Sequence, residues 1–362
     1  MSEPILDTLI VGAGVAGLSL AFELETRGVS YRVVEARGRV GGRVLSQLVR
    51  HVEDVGVFDL GPAWFWDGQP RIARLMGVLG LRAFVQYTDG ALAYEDDRGR
   101  VQHVRAMSPM EGSYRVVGGV GMLVEALADR LPAERISLGR RVVQTTMTEA
   151  GMATEVRGSA ASEIIESRHV VLAIPPRVAA NIEFGDDVPP SAVDVMRDIP
   201  TWMAGHAKVL AVYARPFWRD AGLSGDGMSH RGPLVEIHDA SPAQGGPYGL
   251  FGFVGSSVDQ RRDTDVLLGK ARAQLVRLFG PGAAHPLQIL MQDWALEPYT
   301  ATSLDHVPLG AHPVYGLPRE LVGLCGGRIL MGSTEVATEF GGYLEGALVA
   351  AEKCAATLMA QR

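Results

Sequence analysis

The apolar residues near the start of the chain form an unbroken run and then change to helical spacing. Residues 8–11 are a short apolar stretch of the kind that predicts a buried strand, and from Leu18 to Glu25 the apolar positions recur every three to four residues. Residues 31–34 again predict a strand, which ends on Glu35. The pattern therefore predicts strand, helix and strand, the unit from which parallel sheets are built.

The rest of the chain changes between helical and strand-like spacing. Helices are predicted over residues 71–79, 120–131 and 264–279, with a C-terminal helix that opens at 340–347 and runs to Leu358. Strands are predicted as a hairpin over 91–104, a small sheet from 136–138, 141–143, 152–156 and 164–165, a buried strand at 169–174, antiparallel strands at 207–213, 234–237, 250–254 and 289–294, and a buried strand at 328–332. From Pro200 onward the pattern is antiparallel, which predicts a second domain inserted in the first.

Three glycines stand between the first strand and the first helix, in the order Gly12, Gly14 and Gly17. In such a turn the first glycine turns the chain, the second lets a pyrophosphate approach the backbone, and the third lets the helix pack closely on the strand. The helix N-terminus favours phosphate groups, and the carboxylate of Glu35 suits a ribose diol. This context predicts dinucleotide binding, and a tightly packed unit without a ligand is the alternative.

Two further turns carry candidate chemistry. Residues 36–43 are rich in glycine and contain three arginines, for which we expect phosphate contacts by Arg43 and by backbone N–H groups. A solvated basic loop is the alternative. Residues 59–66 include Trp64 and Trp66, which either belong to the core or wall a flat apolar cavity.

Composition narrows the classes of function. A chain of 362 residues exceeds what one core usually holds, so two domains are expected. The net charge of −7, without a massed basic region, argues against nucleic acid and anionic lipid as partners. Nine histidines show no paired metal-ligand spacing, and neither an H-E-x-x-H nor a G-x-S-x-G motif occurs, so no metal site and no serine nucleophile are expected.

The remaining composition bears on location. The two cysteines, Cys325 and Cys354, are too few for a disulfide framework and suit a reducing, cytoplasmic compartment. The acidic N-terminus has no basic segment, so no signal peptide is expected. The uncharged run at 8–22 is too short for a membrane span and is interrupted by three glycines.

The motifs together resemble one family, the flavin-containing amine oxidases, which include the monoamine and polyamine oxidases. The matching segments, in the order of that family, are residues 11–18, 34–37 with 41–43, 59–61, 115–119, 207–209 with 216–218, Trp294 with 298–299, and 332–335 with 342–347. The resemblance implies an α/β fold with a Rossmann-type FAD-binding domain (GR2-like) and an inserted α+β substrate domain that contains an antiparallel sheet. We place the FAD-binding domain at residues 1–72, 106–197 and 294–362, and a substrate domain of reduced size at 73–105 and 198–293.

The resemblance assigns cofactor contacts residue by residue. Gly12, Gly14 and Gly17 would hold the pyrophosphate of FAD, Glu35 the adenosine ribose, Arg37 and Arg43 the phosphate side, Val142 the adenine, Glu335 the ribityl chain, and Leu344 the pyrimidine edge of the flavin. The other positions expected at the cofactor are Ala16, Ala36, Gly42, Gly61, Pro62, Ala63, Trp294, Tyr299, Gly332, Ser333 and Tyr343.

The resemblance also implies the chemistry. Lys208 matches the lysine that holds a water against flavin N5, although a lysine on an alternating strand is otherwise a solvated charge. A neutral amine would give a hydride to N5, and O2 would reoxidise the flavin and form hydrogen peroxide. Tyr343 matches one of the aromatic walls that orient the amine.

The chain departs from the family at three places. Leu304 stands where the second wall carries an aromatic residue, with Ser303 where some members have the cysteine that bonds FAD, so we expect noncovalent FAD. Trp64 or His306 is the candidate for the missing wall. The stretch before Arg115 is much shorter than in the larger oxidases, which predicts a more open pocket or one completed by another subunit of a homo-oligomer.

Two alternatives stay open at this point. One is a different flavin chemistry on the same scaffold, such as a desaturase or an isomerase, which Leu304 favours and Lys208 opposes. The other is a flavin-binding sensor without turnover.

Overall fold

The structure is a computed structural model that describes residues 5–159, 161–307 and 309–362. The first four residues, on which the expectation of no signal peptide rests, lie outside the described residues. The strands are β1 (Leu6–Val11), β2 (Tyr31–Glu35), β3 (Ser46–His51), β4 (Asp54–Asp59), β5 (Phe65–Trp66), β6 (Ala83–Val85), β7 (Ala91–Glu95), β8 (Val101–Val104), β9 (Ser113–Val116), β10 (Ile136–Leu138), β11 (Arg141–Met147), β12 (Met152–Arg157), β13 (Ser162–Leu172), β14 (Glu183–Phe184), β15 (Ala207–Tyr213), β16 (Leu223–Ser229), β17 (Leu234–Asp239), β18 (Tyr248–Val254), β19 (Gln288–Asp293) and β20 (Ile329–Met331). The helices are α1 (Val15–Thr26), α2 (Pro70–Leu79), α3 (Gly121–Ala128), α4 (Pro176–Ala179), α5 (Pro190–Asp198), α6 (Phe217–Asp220), α7 (Thr264–Phe279), α8 (Leu324–Gly327) and α9 (Leu344–Ala360).

The larger sheet contains eight of the described strands, in the order β10-β2-β1-β13-β12-β11-β14, with β20 paired to β13. Strands β10, β2, β1, β13 and β20 run parallel, as the strand-helix-strand pattern predicts. Strand β13 is continuous over eleven residues, and its first half pairs with β12 while its second half pairs with β1 and β20. The small sheet expected for residues 136–165 does not form by itself, because β10 pairs with β2, and β11 and β12 join the parallel sheet through β13.

Both faces of the larger sheet are covered, which explains why its central strands are apolar at consecutive positions. Ile10 and Val171 face a core formed with α1, α3 and α9. Leu9 and Leu172 face the opposite core, to which α5 contributes Met196. The predicted helices at 71–79, 120–131 and the C-terminus are confirmed, whereas α5 was not predicted.

The second sheet has seven of the described strands, in the order β19-β15-β18-β17-β16-β7-β8. The four antiparallel strands predicted after Pro200 and the predicted hairpin over 91–104 all belong to it. Helix α7 packs on this sheet through Leu267 and Leu275. Strand β16 was not predicted, because Gly225 and Gly227 interrupt the alternation of apolar and polar residues. Strands β7 and β8 share a sheet with β15–β19, whereas Met76 and Leu79 of α2 pack in the core with α1, α3 and α9. The division into two domains stays a proposal.

Candidate functional site

One large cavity lies where the carboxyl ends of β1, β2 and β13 meet the seven-stranded sheet. Its volume is about 520 Å³. The parallel sheet contributes Gly12 and Glu35 to the lining, and the seven-stranded sheet contributes Lys208 and Phe253. A site between two sheets at the ends of parallel strands is the usual position of a nucleotide in such folds.

The glycine turn at one end of the cavity has the geometry that a dinucleotide requires. Gly12 has a φ of +106°, and a Cβ there would lie 2.8 Å from the Ala173 carbonyl oxygen. A Cβ on Gly17 would lie 1.9 Å from the Gly12 carbonyl oxygen, so only glycine lets α1 pack this closely on the turn. Gly14, by contrast, faces open space, with its nearest neighbour at 3.9 Å. The backbone at the start of α1 is therefore bare toward the cavity, as a phosphate group needs.

The acid at the end of β2 is buried beside this turn. One Glu35 carboxylate oxygen accepts a hydrogen bond of 2.9 Å from the Ala13 backbone N–H, and the other accepts one of 2.9 Å from the Arg37 N–H. The Arg37 guanidinium donates to Glu297 and lies 5.5 Å from the centre of the Tyr299 ring. These contacts hold the carboxylate in one orientation at the cavity wall.

An ion pair and an unpartnered hydroxyl mark the middle of the cavity. Arg43 lines the cavity and donates to the fully buried Glu335 over 2.5 Å. Burial opposes the charge of Arg43, but the Glu335 carboxylate holds the pKa of this arginine above its ordinary value. The hydroxyl of Ser333, also in the wall, is buried and has no hydrogen-bond partner among the described residues. A polar ligand that reaches this hydroxyl would satisfy it, so the residues present fit a dinucleotide cofactor.

Lys208 is the charged residue that β15 brings into the cavity. Its side chain is 6% exposed, and its ammonium donates to the Gly61 carbonyl oxygen over 2.5 Å. The ammonium also lies 4.7 Å from the ring centre of Phe251 and 5.1 Å from that of Phe253. Burial in these apolar surroundings, with a smaller contribution from the charge of Arg115, lowers the pKa of Lys208 to about 8. A substantial fraction is therefore neutral near physiological pH.

The cavity lining includes the aromatic rings of Trp64, Trp66, Trp202, Phe253 and Tyr343. Trp64 lies 5.6 Å from the ammonium and is held by a hydrogen bond from its indole N–H to Gln86. Tyr343 meets Trp66 edge to face with ring centres 6.3 Å apart. His312 stacks on Tyr343 with ring centres 5.1 Å apart, and Trp202 contacts the same imidazole at 4.8 Å. The walls can therefore hold a flat or apolar group next to the lysine.

Most of the residues predicted for the site line this one cavity. The predicted residues in the lining are Gly12, Gly14, Ala16, Glu35, Ala36, Arg37, Gly42, Arg43, Gly61, Pro62, Ala63, Trp64, Val142, Lys208, Trp294, Tyr299, Ser333, Tyr343 and Leu344. Gly17, Gly332 and Glu335 do not line it, although Gly17 shapes the turn and Glu335 pairs with Arg43.

Leu304 is a predicted wall residue that the structure does not bring to the cavity. It lies in a short turn at Ser303–Asp305, its side chain is 54% exposed, and its carbonyl oxygen accepts from Arg177. The expectation that Leu304 stands at the position of the second wall is therefore wrong. His306, the other candidate for the missing wall, is also absent from the lining.

The structure instead adds Trp202, Met203 and His206, which sequence reasoning missed. Burial lowers the pKa of His206, and the charge of Arg261 lowers it further. Its Nδ1 atom is buried and has no partner among the described residues. The sequence of this segment has no motif that marks a site. Its one indication is that the segment directly precedes the strand that carries Lys208.

Comparison with known proteins gives one consistent family. Residues 100–359 match the family described as flavin containing amine oxidoreductase, and residues 10–79 match an NAD(P)-binding Rossmann-like domain. A putative flavin-containing monoamine oxidase AofH of Mycobacterium tuberculosis is 28% identical to this chain over 459 aligned positions, covering 98% of this chain and 97% of that protein. A probable flavin-containing monoamine oxidase A of Dictyostelium discoideum is 23% identical and covers 95% of both chains.

Solved structures show the same fold. Putrescine oxidase bound to putrescine has a TM-score of 0.80 at 20% identity, with 99% of both chains covered. Cyclohexylamine oxidase from Brevibacterium oxydans has a TM-score of 0.79 at 19% identity, again with 99% of both chains covered. The alignment with the mycobacterial relative is 97 positions longer than the 362 residues of this chain, so that relative has internal segments without a counterpart here.

Two further features concern the residues that the structure describes. No cluster of three or more His, Cys, Asp or Glu side chains there has the geometry to hold a metal ion. Within the same residues, none of the helices combines the length and the apolar character needed to cross a bilayer.

Proposed function

The chain belongs to the family of flavin-containing amine oxidoreductases, and from this premise we propose that it oxidises a neutral amine to an imine. It is a flavin-dependent oxidoreductase of the class that acts on CH–NH or CH–NH2 groups, and its cofactor is FAD. When bound, FAD would supply the hydride acceptor at N5, and its reoxidation by O2 would form hydrogen peroxide. Water then hydrolyses the released imine to a carbonyl compound and ammonia or an amine.

We assign the cofactor contacts to the residues that line the cavity. The Gly14 backbone and the N-terminus of α1 would hold the diphosphate, and the Glu35 carboxylate would accept hydrogen bonds from the ribose. The Ser333 hydroxyl, which has no partner among the described residues, would form a hydrogen bond with the cofactor. Cys325 and Cys354 are both buried and neither lines the cavity, which supports noncovalent binding. Arg43 would bring a positive charge to the middle of the cofactor while Glu335 holds it in place.

The burial of Lys208 in the cavity wall is the observation that supports the proposal most directly. It is buried in the wall of the same cavity, and one N–H bond is directed at the Gly61 carbonyl oxygen. Its other donors are left to hold a water molecule, and with a pKa of about 8 the amino group can accept or return a proton near neutral pH. We propose that Lys208 holds this water beside the reacting carbon and that the aromatic walls orient the amine.

The charges around the cavity favour an amine without a second charge. Among the described residues in the lining, Glu35 is the only carboxylic acid. It lies at the end of β2, whereas Lys208 lies on β15 among aromatic side chains. A second ammonium group on the substrate would be buried beside the positive charge of Lys208, with no carboxylate in that part of the described lining, which is costly. We therefore propose a monoamine with an apolar or aromatic remainder as the substrate.

The test is an anaerobic absorbance titration of the purified protein, following the flavin band at about 450 nm. We expect bleaching by hexylamine and benzylamine, and peroxide when air returns. The diamine with the same chain length as hexylamine should bleach the band far less. Bleaching by the diamine alone would overturn the substrate class but keep the oxidase, whereas an intact band with every amine would favour a desaturase, an isomerase or a sensor.

A further inference from the structure

A second groove, separate from the amine cavity, lies on the far part of the seven-stranded sheet. Its volume is about 780 Å³, and in the described chain it shares no lining residue with the first cavity. Four segments form it: the turn between β7 and β8, the turn between β16 and β17, the segment between β18 and α7, and one face of α7. The sequence places this region in the substrate domain, and no motif marks any of the groove residues.

The lining of this groove is strongly basic. It contains Arg98, Arg231, Lys270 and Arg277, and its one acid is Glu95. Glu95 is fully buried and accepts from Arg277 over 2.9 Å and 3.2 Å, so these two charges cancel. The other three cations form no ion pair with any described residue within 4.0 Å. Three cations without an ion pair in the part of the chain that the structure describes therefore face one groove on a protein whose net charge is −7.

Contacts within the groove hold two of the cations in place. The Arg231 guanidinium lies over Gly99, where an added Cβ would come within 3.2 Å of it. Arg277 donates to the Arg231 carbonyl oxygen over 3.1 Å, and the Ser229 hydroxyl accepts from the Arg231 backbone N–H over 3.0 Å. A guanidinium that is positioned before the ligand arrives loses less side-chain entropy on binding, and its fork suits phosphate and carboxylate oxygens.

The surroundings limit the size of the partner. Exposed acids stand directly beside the lining residues along the chain, with Asp97 before Arg98, Asp259 before Gln260 and Asp265 before Val266. An extended polyanion would meet these carboxylates, whereas a small anion would meet only the groove. We propose that this groove binds a small multivalent anion that carries phosphate or carboxylate groups.

Calorimetric titration of the flavin-saturated protein tests the proposal, because saturation keeps the phosphate-binding turn of the first cavity occupied. The probes are pyrophosphate, citrate and acetate at one ionic strength, so that phosphate, multivalent carboxylate and a monovalent control are compared. We expect one saturable site for pyrophosphate or citrate, with acetate at least tenfold weaker. Tighter binding of pyrophosphate would indicate a phosphate-bearing ligand, and tighter binding of citrate a ligand with several carboxylates.

Two variants make the result specific to the groove. Arg231→Ala combined with Lys270→Ala should weaken binding at least tenfold, whereas Arg272→Ala should leave it unchanged, because Arg272 is exposed on α7 but does not line the groove. An unchanged melting temperature shows that each variant is folded. Equal binding to both variants, or no saturable heat with either multivalent anion, would overturn the proposal. Binding of an acidic peptide or an oligonucleotide without binding of the small anions would also overturn it.

Discussion

Replacing Lys208 with methionine should change how the stability of the protein depends on pH. Burial lowers the pKa of Lys208 to about 8, whereas an ordinary lysine titrates at 10.5. Between these values the unfolded chain binds more protons than the folded one, so the free energy of unfolding rises with pH. Below pH 8 both states are protonated, and the difference between the two pKa values corresponds to a constant cost on the order of 3 kcal/mol.

Lys208→Met removes this cost but also removes the hydrogen bond to Gly61, so the informative quantity is the difference between variant and wild type at each pH. The free energy of unfolding of the variant, minus that of the wild type, should fall by about 3 kcal/mol from pH 7 to pH 10.5. Urea unfolding at a series of pH values measures it. Lys353→Met is the matched control, because Lys353 is exposed on α9.

A spectroscopic measurement gives the pKa directly. The chain has only three lysines, Lys208, Lys270 and Lys353, so a protein labelled with carbon-13 at lysine Cε has three resonances to follow. The resonance that disappears in Lys208→Met belongs to Lys208 and should titrate at about pH 8. Titration near 10.5, together with parallel stability curves, would refute the argument from burial. In stopped-flow experiments the same variant should keep its FAD and slow flavin reduction or reoxidation, and unchanged rates would remove Lys208 from the mechanism.

Three further changes test the rest of the site. Glu35→Ala should weaken FAD retention by about 1.5–3 kcal/mol, because the cofactor ribose loses a charged acceptor; equal occupancy after dialysis would count against this role. Gly17→Ala should lower both the melting temperature and FAD occupancy, whereas Gly77→Ala, which meets open space in α2, should stabilise by about 0.5–1 kcal/mol; similar effects of both would contradict the packing argument. Asp59→Asn should shift the Lys208 titration below about pH 8, because the Asp59 charge raises the pKa of Lys208, and an unmoved curve would exclude this coupling.

The sequence alone determined the features that depend on local geometry. Gly12 precedes α1 and Gly17 lies in its first turn, and an added Cβ at either position would clash with backbone, whereas Gly14 leaves its backbone bare toward the cavity. Glu35 follows because the end of the second parallel strand lies beside this turn. The family resemblance added Lys208, whose burial the alternating pattern of its strand does not indicate.

The tertiary structure decided which distant segments meet. Strand β13 joins two predicted sheets into one because its eleven residues are long enough to pair on both sides, which no local pattern reveals. Trp202 enters the cavity and Leu304 does not, because the loops that carry them are placed by contacts with other elements rather than by their own spacing. The basic groove likewise depends on the tertiary structure. Arg231 donates a hydrogen bond to the carbonyl oxygen of Arg98, 133 positions away along the chain, and only the fold brings these two charges together.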